Sequence, residues 1–163
     1  MGVGIRLAER RDAEAIRGIY NAEVTGSTVT FDLVARSLED QVSWIDAHAG
    51  GHPAVVAEID EEIVGFGSLS PFRDRAAYIG TVEDSLYVDH AYRSRGVGRA
   101  LLEELLRLAA AHGFHTVIAR IVGGHDASIA LHASCGFEIV GTEREVGRKF
   151  GQWLDVVVMQ RML

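Results

Sequence analysis

Three arginines and two glycines fall within the seven residues Arg93-Ser94-Arg95-Gly96-Val97-Gly98-Arg99, directly ahead of the apolar-periodic run "ALLEELLRLAA". The first turn of a helix leaves N–H groups without partners and carries the positive end of the helix dipole, so it attracts anions. Glycine lets a backbone approach such an anion with no Cβ in the way, and arginine adds charge and paired donors. The preceding "TVEDSLYV" alternates as a strand, which places the loop between strand and helix, the context of a pyrophosphate site. Two familiar phosphate loops do not fit. The dinucleotide fingerprint requires Gly or Ala where Leu101 stands, and the Walker loop requires a Gly-Lys pair that this chain lacks. The plain alternative is a tight structural turn.

The pattern that does fit is [QR]-x-x-G-x-[GA], as Arg93 to Gly98, and in this the segment resembles the acyl-CoA pyrophosphate signature of the GNAT N-acetyltransferases. Three further stretches, "TVEDSLYV", "HDASIALHASCGF" and "RKFGQWLDVVVMQ", are similar to the phosphinothricin and methionine sulfoximine/sulfone acetyltransferase branch, and the likeness runs from about Ile5 to the C-terminus. The resemblance implies acetyl-CoA as cosubstrate, no metal, the α-amine of a small amino-acid analogue as acceptor, and a homodimer as working unit. It also implies that the backbone of Leu86, Tyr87 and Val88, the loop Arg93, Ser94, Arg95, Gly96, Val97, Gly98 and Arg99, and His125 and Ser128 hold the cosubstrate. A bulge in the strand before the loop is expected to splay it from its neighbour.

An amine must lose a proton to attack a thioester, and a carboxylate takes it directly or through water. Strand alternation puts Glu83, Ser85 and Tyr87 on one face and Asp84, Leu86 and Val88 on the other. The resemblance assigns the base to Glu83, with Asp84 as its competitor and a solvated strand-end carboxylate as the plain alternative. Where many relatives have tyrosine, "LHASCGF" has His132, which the resemblance makes the proton donor to the departing thiolate; histidine titrates near neutral pH. His125 stands where relatives commonly have asparagine, which bears on CoA affinity. Arg73 and Arg75 are candidate clamps for an acceptor carboxylate, and Phe31 and Trp153 candidate apolar walls, although surface arginines are often merely solvated and aromatics often fill cores.

The elements that must position these residues alternate. A strand "VGIRLAE" precedes a helix "RRDAEAIRGIYNAEV" with Asp12 as candidate N-cap; "TGSTVTF" is β-prone, and a second helix starts at the Ser37 cap. A hairpin turning at Asp60-Glu61-Glu62 follows, then the strand through Val88, the loop, and a helix ending at Gly113. "HTVIARIV" reads as a buried strand, "HDASIALHASCG" as a short helix, and "FEIVGTERE" and "WLDVVVMQRML" as closing strands. The order β-α-α-β-β-β-α-β-α-β-β is that of an α/β domain with a mixed, mostly antiparallel sheet flanked by helices, here expected as one domain over residues 1–163.

Composition narrows the alternatives. The chain has 48% hydrophobic and 24% charged residues and a net charge of −7, the profile of a soluble globular protein and not of a nucleic-acid or membrane-surface binder. It has one cysteine, Cys135, read as a packing residue; no internal disulfide and no cysteine-based zinc site can form. No apolar leader or run of 18 apolar residues occurs, so a cytoplasmic location is expected. Two rival readings stay open: a GNAT-shaped acyl-CoA-binding module without catalysis, and an acetyltransferase for a protein N-terminus, polyamine or aminoglycoside. Two arginines beside the acceptor weigh against cationic acceptors.

Overall fold

The computed structural model describes residues 2–163. Its elements follow the expected order: β1 (Gly4–Leu7), α1 (Ala13–Gly26), α2 (Leu38–Ala47), β2 (Ala54–Ile59), β3 (Glu62–Pro71), β4 (Thr81–Val88), α3 (Val97–Ala111), β5 (Thr116–Val122), α4 (Asp126–Ser134), β6 (Glu138–Lys149) and β7 (Gln152–Met162). They form an α/β fold around a seven-stranded sheet in the order β1-β2-β3-β4-β5-β7-β6. Every neighbouring pair is antiparallel except β4 and β5, which the α3 crossover makes parallel.

The two faces of the sheet carry separate cores. On one, Leu101, Leu102, Leu105 and Ala109 of α3 pack on Val55, Leu69, Val82, Val117 and Met159. Gly65 and Gly67 of β3 permit this: a Cβ on Gly67 would lie 3.0 Å from Leu105, and one on Gly65 3.1 Å from Leu101. Cys135 is buried in the same core, as a packing residue. On the other face Ile16, Ile19, Tyr20 and Val24 of α1 and Ile45 of α2 cover Val56 and Phe66.

Three local expectations need correction. Asp12 does not cap α1 with its side chain; it accepts from the Glu9 N–H at 2.7 Å and from Arg6 at 2.8 Å, ending a short 3-10 turn. The "TGSTVTF" stretch forms no strand. Its groups bond to side chains instead: Thr28 to His125, the Thr30 hydroxyl to Tyr20, and the Thr30 carbonyl to Lys149. Finally, β4 contains no bulge toward β3, with which its register is unbroken from Val82 to Val88. The hairpin expectation holds, since Ile59 pairs with Glu62 around Asp60 and Glu61, both at positive φ. No helix among the described residues is long and apolar enough to cross a membrane.

Candidate active site

The site begins where pairing stops. β4 and β5 are paired at Thr81–Thr116, Val82–Val117 and Glu83–Ile118, and beyond Glu83 they part. β4 stays bonded to β3 on its far side and β5 to β7, so only the facing edges are released. Between them, and between the start of α3 and the start of α4, lies a cleft of about 740 Å³. The splay expected from sequence is therefore present, but it comes from divergence of two parallel strands and not from a bulge.

The cleft gathers most of the residues singled out for the cosubstrate. Leu86, Tyr87 and Val88 form one wall; Arg93, Ser94, Gly96, Val97, Gly98 and Arg99 form the end; His125 and Ser128 form the other wall. Arg95 does not line it; its guanidinium stacks over Tyr92 at 5.2 Å. The two glycines have different reasons. Gly96 precedes α3 with φ +82°, a conformation side chains disfavour. Gly98 is helical, but a Cβ there would lie 3.1 Å from Leu131 of α4, so its absence sets how closely the two helices approach.

Behind the loop lies a carboxylate that the sequence reading overlooked. Glu23, only 2% exposed, accepts from Arg93 Nη2 at 2.6 Å, from Ser27 Oγ, and faces His90 Nε2 at 2.7 Å. Its signal was present: Glu23 sits on the Ile16-Ile19-Tyr20 stripe of α1, where a charge interrupts apolar spacing. His125 is also committed, with Nε2 2.9 Å from Thr28 Oγ1. Burial pushes its pKa below the ordinary histidine value, with Arg93 adding to this and Glu23 opposing it.

Glu83 and Asp84 occupy opposite faces of β4. Glu83 stands at the parting point, cross-strand from Ser70 and Ile118. Burial raises its pKa; the nearby Arg120 guanidinium pulls it down, while Asp84 and Glu143 push it up. Arg120, an isolated charge in the apolar β5, lines the cleft and pairs with Glu143. Asp84 is buried and meets His132 Nε2 at 2.8 Å, while His132 Nδ1 lies 2.8 Å from the Ser128 carbonyl. Both also line the cleft.

The residues singled out for the acceptor do not join that cleft. Arg73 and Arg75 line a separate depression with Phe72, Asp74 and Tyr78, on the loop leaving β3. Because Pro71 pairs with Val82, this loop starts beside the Glu83 end of β4. The Phe31 ring abuts Gly147 of β6, where a Cβ would come within 2.3 Å of it. Trp153 is 57% exposed on β7 under Arg148. Lys149, not anticipated, is buried at 2% exposure, with burial depressing its pKa and its ammonium donating to the Thr30 carbonyl at 2.8 Å.

With this geometry in hand, likenesses to known proteins become specific. Residues 5–158 match the family described as the acetyltransferase (GNAT) domain. An L-methionine sulfoximine/L-methionine sulfone acetyltransferase of Pseudomonas paraeruginosa is 40% identical over 98% of this chain and 94% of its own. A phosphinothricin N-acetyltransferase of Streptomyces coelicolor is 36% identical over 99% of this chain and 96% of its own. A crystal structure of a phosphinothricin acetyltransferase from Sinorhizobium meliloti in complex with acetyl-CoA superimposes with a TM-score of 0.96 at 38% identity, covering 100% of this chain and 89% of that one. On a family match that spans nearly the whole chain and on relatives this similar, the chain belongs to the GNAT acetyltransferase family.

Proposed function

We propose that this chain transfers the acetyl group of acetyl-CoA to the α-amine of a small amino-acid analogue of the methionine sulfoximine, methionine sulfone or phosphinothricin kind. The observation that carries this reading is the cleft itself, with the glycine-turned start of α3 at one end and, at the last β4–β5 pair just outside its lining, the Glu83 carboxyl, whose pKa burial raises. The relatives named above act on such compounds by name, which supports the acceptor class. Acetyl-CoA supplies an activated acyl carbon.

The residues present suit that partner. The start of α3, with Gly96 turned and Gly98 without a side chain, offers free N–H groups to a pyrophosphate, and Arg99 stands beside them. Glu23 anchors Arg93 from behind and so stiffens the loop. Main-chain groups of Leu86 and Val88, which alternate away from β3, face the cleft, where N–H donors stabilise charge developing on a carbonyl oxygen, while those of Tyr87 are turned to β3. Glu83 takes the amine proton; its desolvation makes it a stronger base than an exposed glutamate. Arg73 and Arg75, on the loop that starts at the same end of β4, hold the acceptor carboxylate. His132 supplies a proton to the sulfur that leaves.

The chain works as a homodimer. The edge strand β6 and its hairpin expose Ile139 (60%), Val140 (56%), Val146 (51%) and Phe150 (59%) beside Trp153, an apolar surface of the kind buried between subunits. The deciding experiment is a CoA-release assay with acetyl-CoA against methionine sulfoximine, methionine sulfone, phosphinothricin, methionine and spermidine. Turnover of one or more of the first three, with spermidine inert, is expected. Spermidine as the preferred acceptor would overturn the acceptor class, and acetyl-CoA binding with no turnover of any amine would favour a binding module.

A further inference from the structure

Both nitrogens of the His132 ring point at oxygen acceptors. Nδ1 lies 2.8 Å from the Ser128 carbonyl, one turn back along α4, and Nε2 lies 2.8 Å from Asp84 Oδ2 across the cleft floor. A neutral imidazole has one N–H and one lone pair, so it cannot satisfy two pure acceptors; the imidazolium, with two N–H groups, can. The side chains of Asp84 and His132 are 1% and 4% exposed, so water cannot stand in for either partner. Asp84 Oδ1 has no hydrogen-bond partner among the described residues, which leaves this ring as the carboxylate's one partner. A buried carboxylate in that position demands a positive charge.

Resting on the acetyltransferase reading above, we propose that Asp84 is a positioning residue that keeps His132 as a doubly protonated imidazolium at the cleft wall, ready to protonate the sulfur released in acyl transfer. As the carbon–sulfur bond breaks, its electron pair goes to sulfur, which approaches Nε2–H beside Asp84 Oδ2 in the cleft lining and takes that proton, breaking the hydrogen bond to Asp84. The ring is left neutral, with Nδ1–H still on Ser128. The vacated Nε2 lone pair then faces the Asp84 carboxylate, an unfavourable arrangement that takes up a proton through the cleft once the thiol product has left. The amine proton leaves separately through Glu83, so one proton enters and one departs per turnover.

Burial alone pulls the His132 pKa down, but the hydrogen bond and charge of Asp84, with the Ser128 carbonyl, outweigh it and the net direction is up. No other charge reverses this. From β4, Glu83 lies on the opposite face; from α3, Arg99 is committed to Glu103 and approaches Ser134. From β5, Arg120 is paired with Glu143; from β7, Arg161 donates to the Cys135 carbonyl at 2.7 Å. The Phe137 ring closes the remaining side at 5.0 Å, edge to face.

The test is long-range 1H–15N NMR of the histidine rings in the intact protein, with His132 assigned from His132→Gln. The wild-type ring is expected to keep both nitrogens protonated above pH 6.5, the ordinary histidine midpoint being about 6.5. In Asp84→Asn the amide N–H meets Nε2 and stabilises the neutral ring, so the doubly protonated signature is lost at neutral pH. In the same variant kcat is expected to fall by up to about 100-fold with KM values retained, and its basic limb to move to lower pH. A neutral wild-type ring at pH 6.5, or a kcat profile unchanged in Asp84→Asn, would overturn the proposal. The wild-type spectrum decides even if the variant folds poorly. It also decides if no amine is acetylated, in which case the functional reading fails and the proton state stands by itself.

Discussion

Glu83→Gln separates catalysis from folding more cleanly than any other single change. The substitution keeps the shape of the side chain at the parting point of β4 and β5 and removes its basicity. General-base contributions run at about 10²–10⁴-fold, which at about 1.4 kcal/mol per decade corresponds to about 3–5 kcal/mol of lost transition-state stabilisation. That whole loss is expected in kcat, with the acetyl-CoA dissociation constant unchanged, because the cosubstrate-holding residues lie further along β4 and on α3 and α4. Stability should move the other way. The folded-state pKa of Glu83 is raised by burial, so the folded protein binds the proton more tightly than the unfolded chain does. Stability from this group is therefore lost as pH climbs from the unfolded value, about 4.3, through the folded one, and stays lost above it. Glutamine has no charge to desolvate, so at pH 7 the variant should melt at or above the wild-type temperature. Steady-state assays of CoA release, calorimetric titration of acetyl-CoA and thermal unfolding at pH 4 and 7 provide the readouts. A companion change, Arg120→Ala, removes the charge that holds the Glu83 pKa down and should carry the acidic limb of kcat/KM to higher pH. A Glu83→Gln enzyme with wild-type kcat, or one that melts lower at pH 7, would refute the assignment.

Two other changes probe the cosubstrate seat and the assembly. Gly98→Val places branched carbons against Leu131, 3.1 Å from the first of them; overpacking of this kind costs about 1–3 kcal/mol, so thermal unfolding should drop by several degrees and the acetyl-CoA KM should rise as α3 and α4 are forced apart. Sedimentation of the wild-type chain should give a dimer, and Val140→Asp on the exposed face of β6 should give monomers.

Legibility from sequence followed the range of the signals. The element order came from periodicity and turn residues, and the Ser37 cap and the Asp60–Glu61 turn were local patterns that hold in three dimensions. The "TGSTVTF" stretch misled because β-branched residues favour extended backbone without specifying a partner strand. Its hydrogen bonds go to Tyr20, His125 and Lys149, up to 119 positions away in sequence. Arg73 and Arg75 were legible as candidates, but only the fold places them outside the main cleft, on the loop that opens beside Glu83.

The chain alone determined that an arginine–glycine loop lies between a strand and an amphipathic helix, that Glu83 and Asp84 face opposite sides of that strand, and that His132 falls on a short helix. Backbone periodicity and helix-end electrostatics operate over a few residues, and a linear reading reaches that far. Only the tertiary structure decided that β4 and β5 part after Glu83 to open the cleft, that Glu23 holds Arg93, and that Asp84 closes on His132 from 48 residues away. Each of those outcomes depends on which surfaces are buried against which. Burial is also what gives the pair its consequence, since a carboxylate cut off from water must take its hydrogen bonds from the protein, and here the His132 ring supplies the one it has.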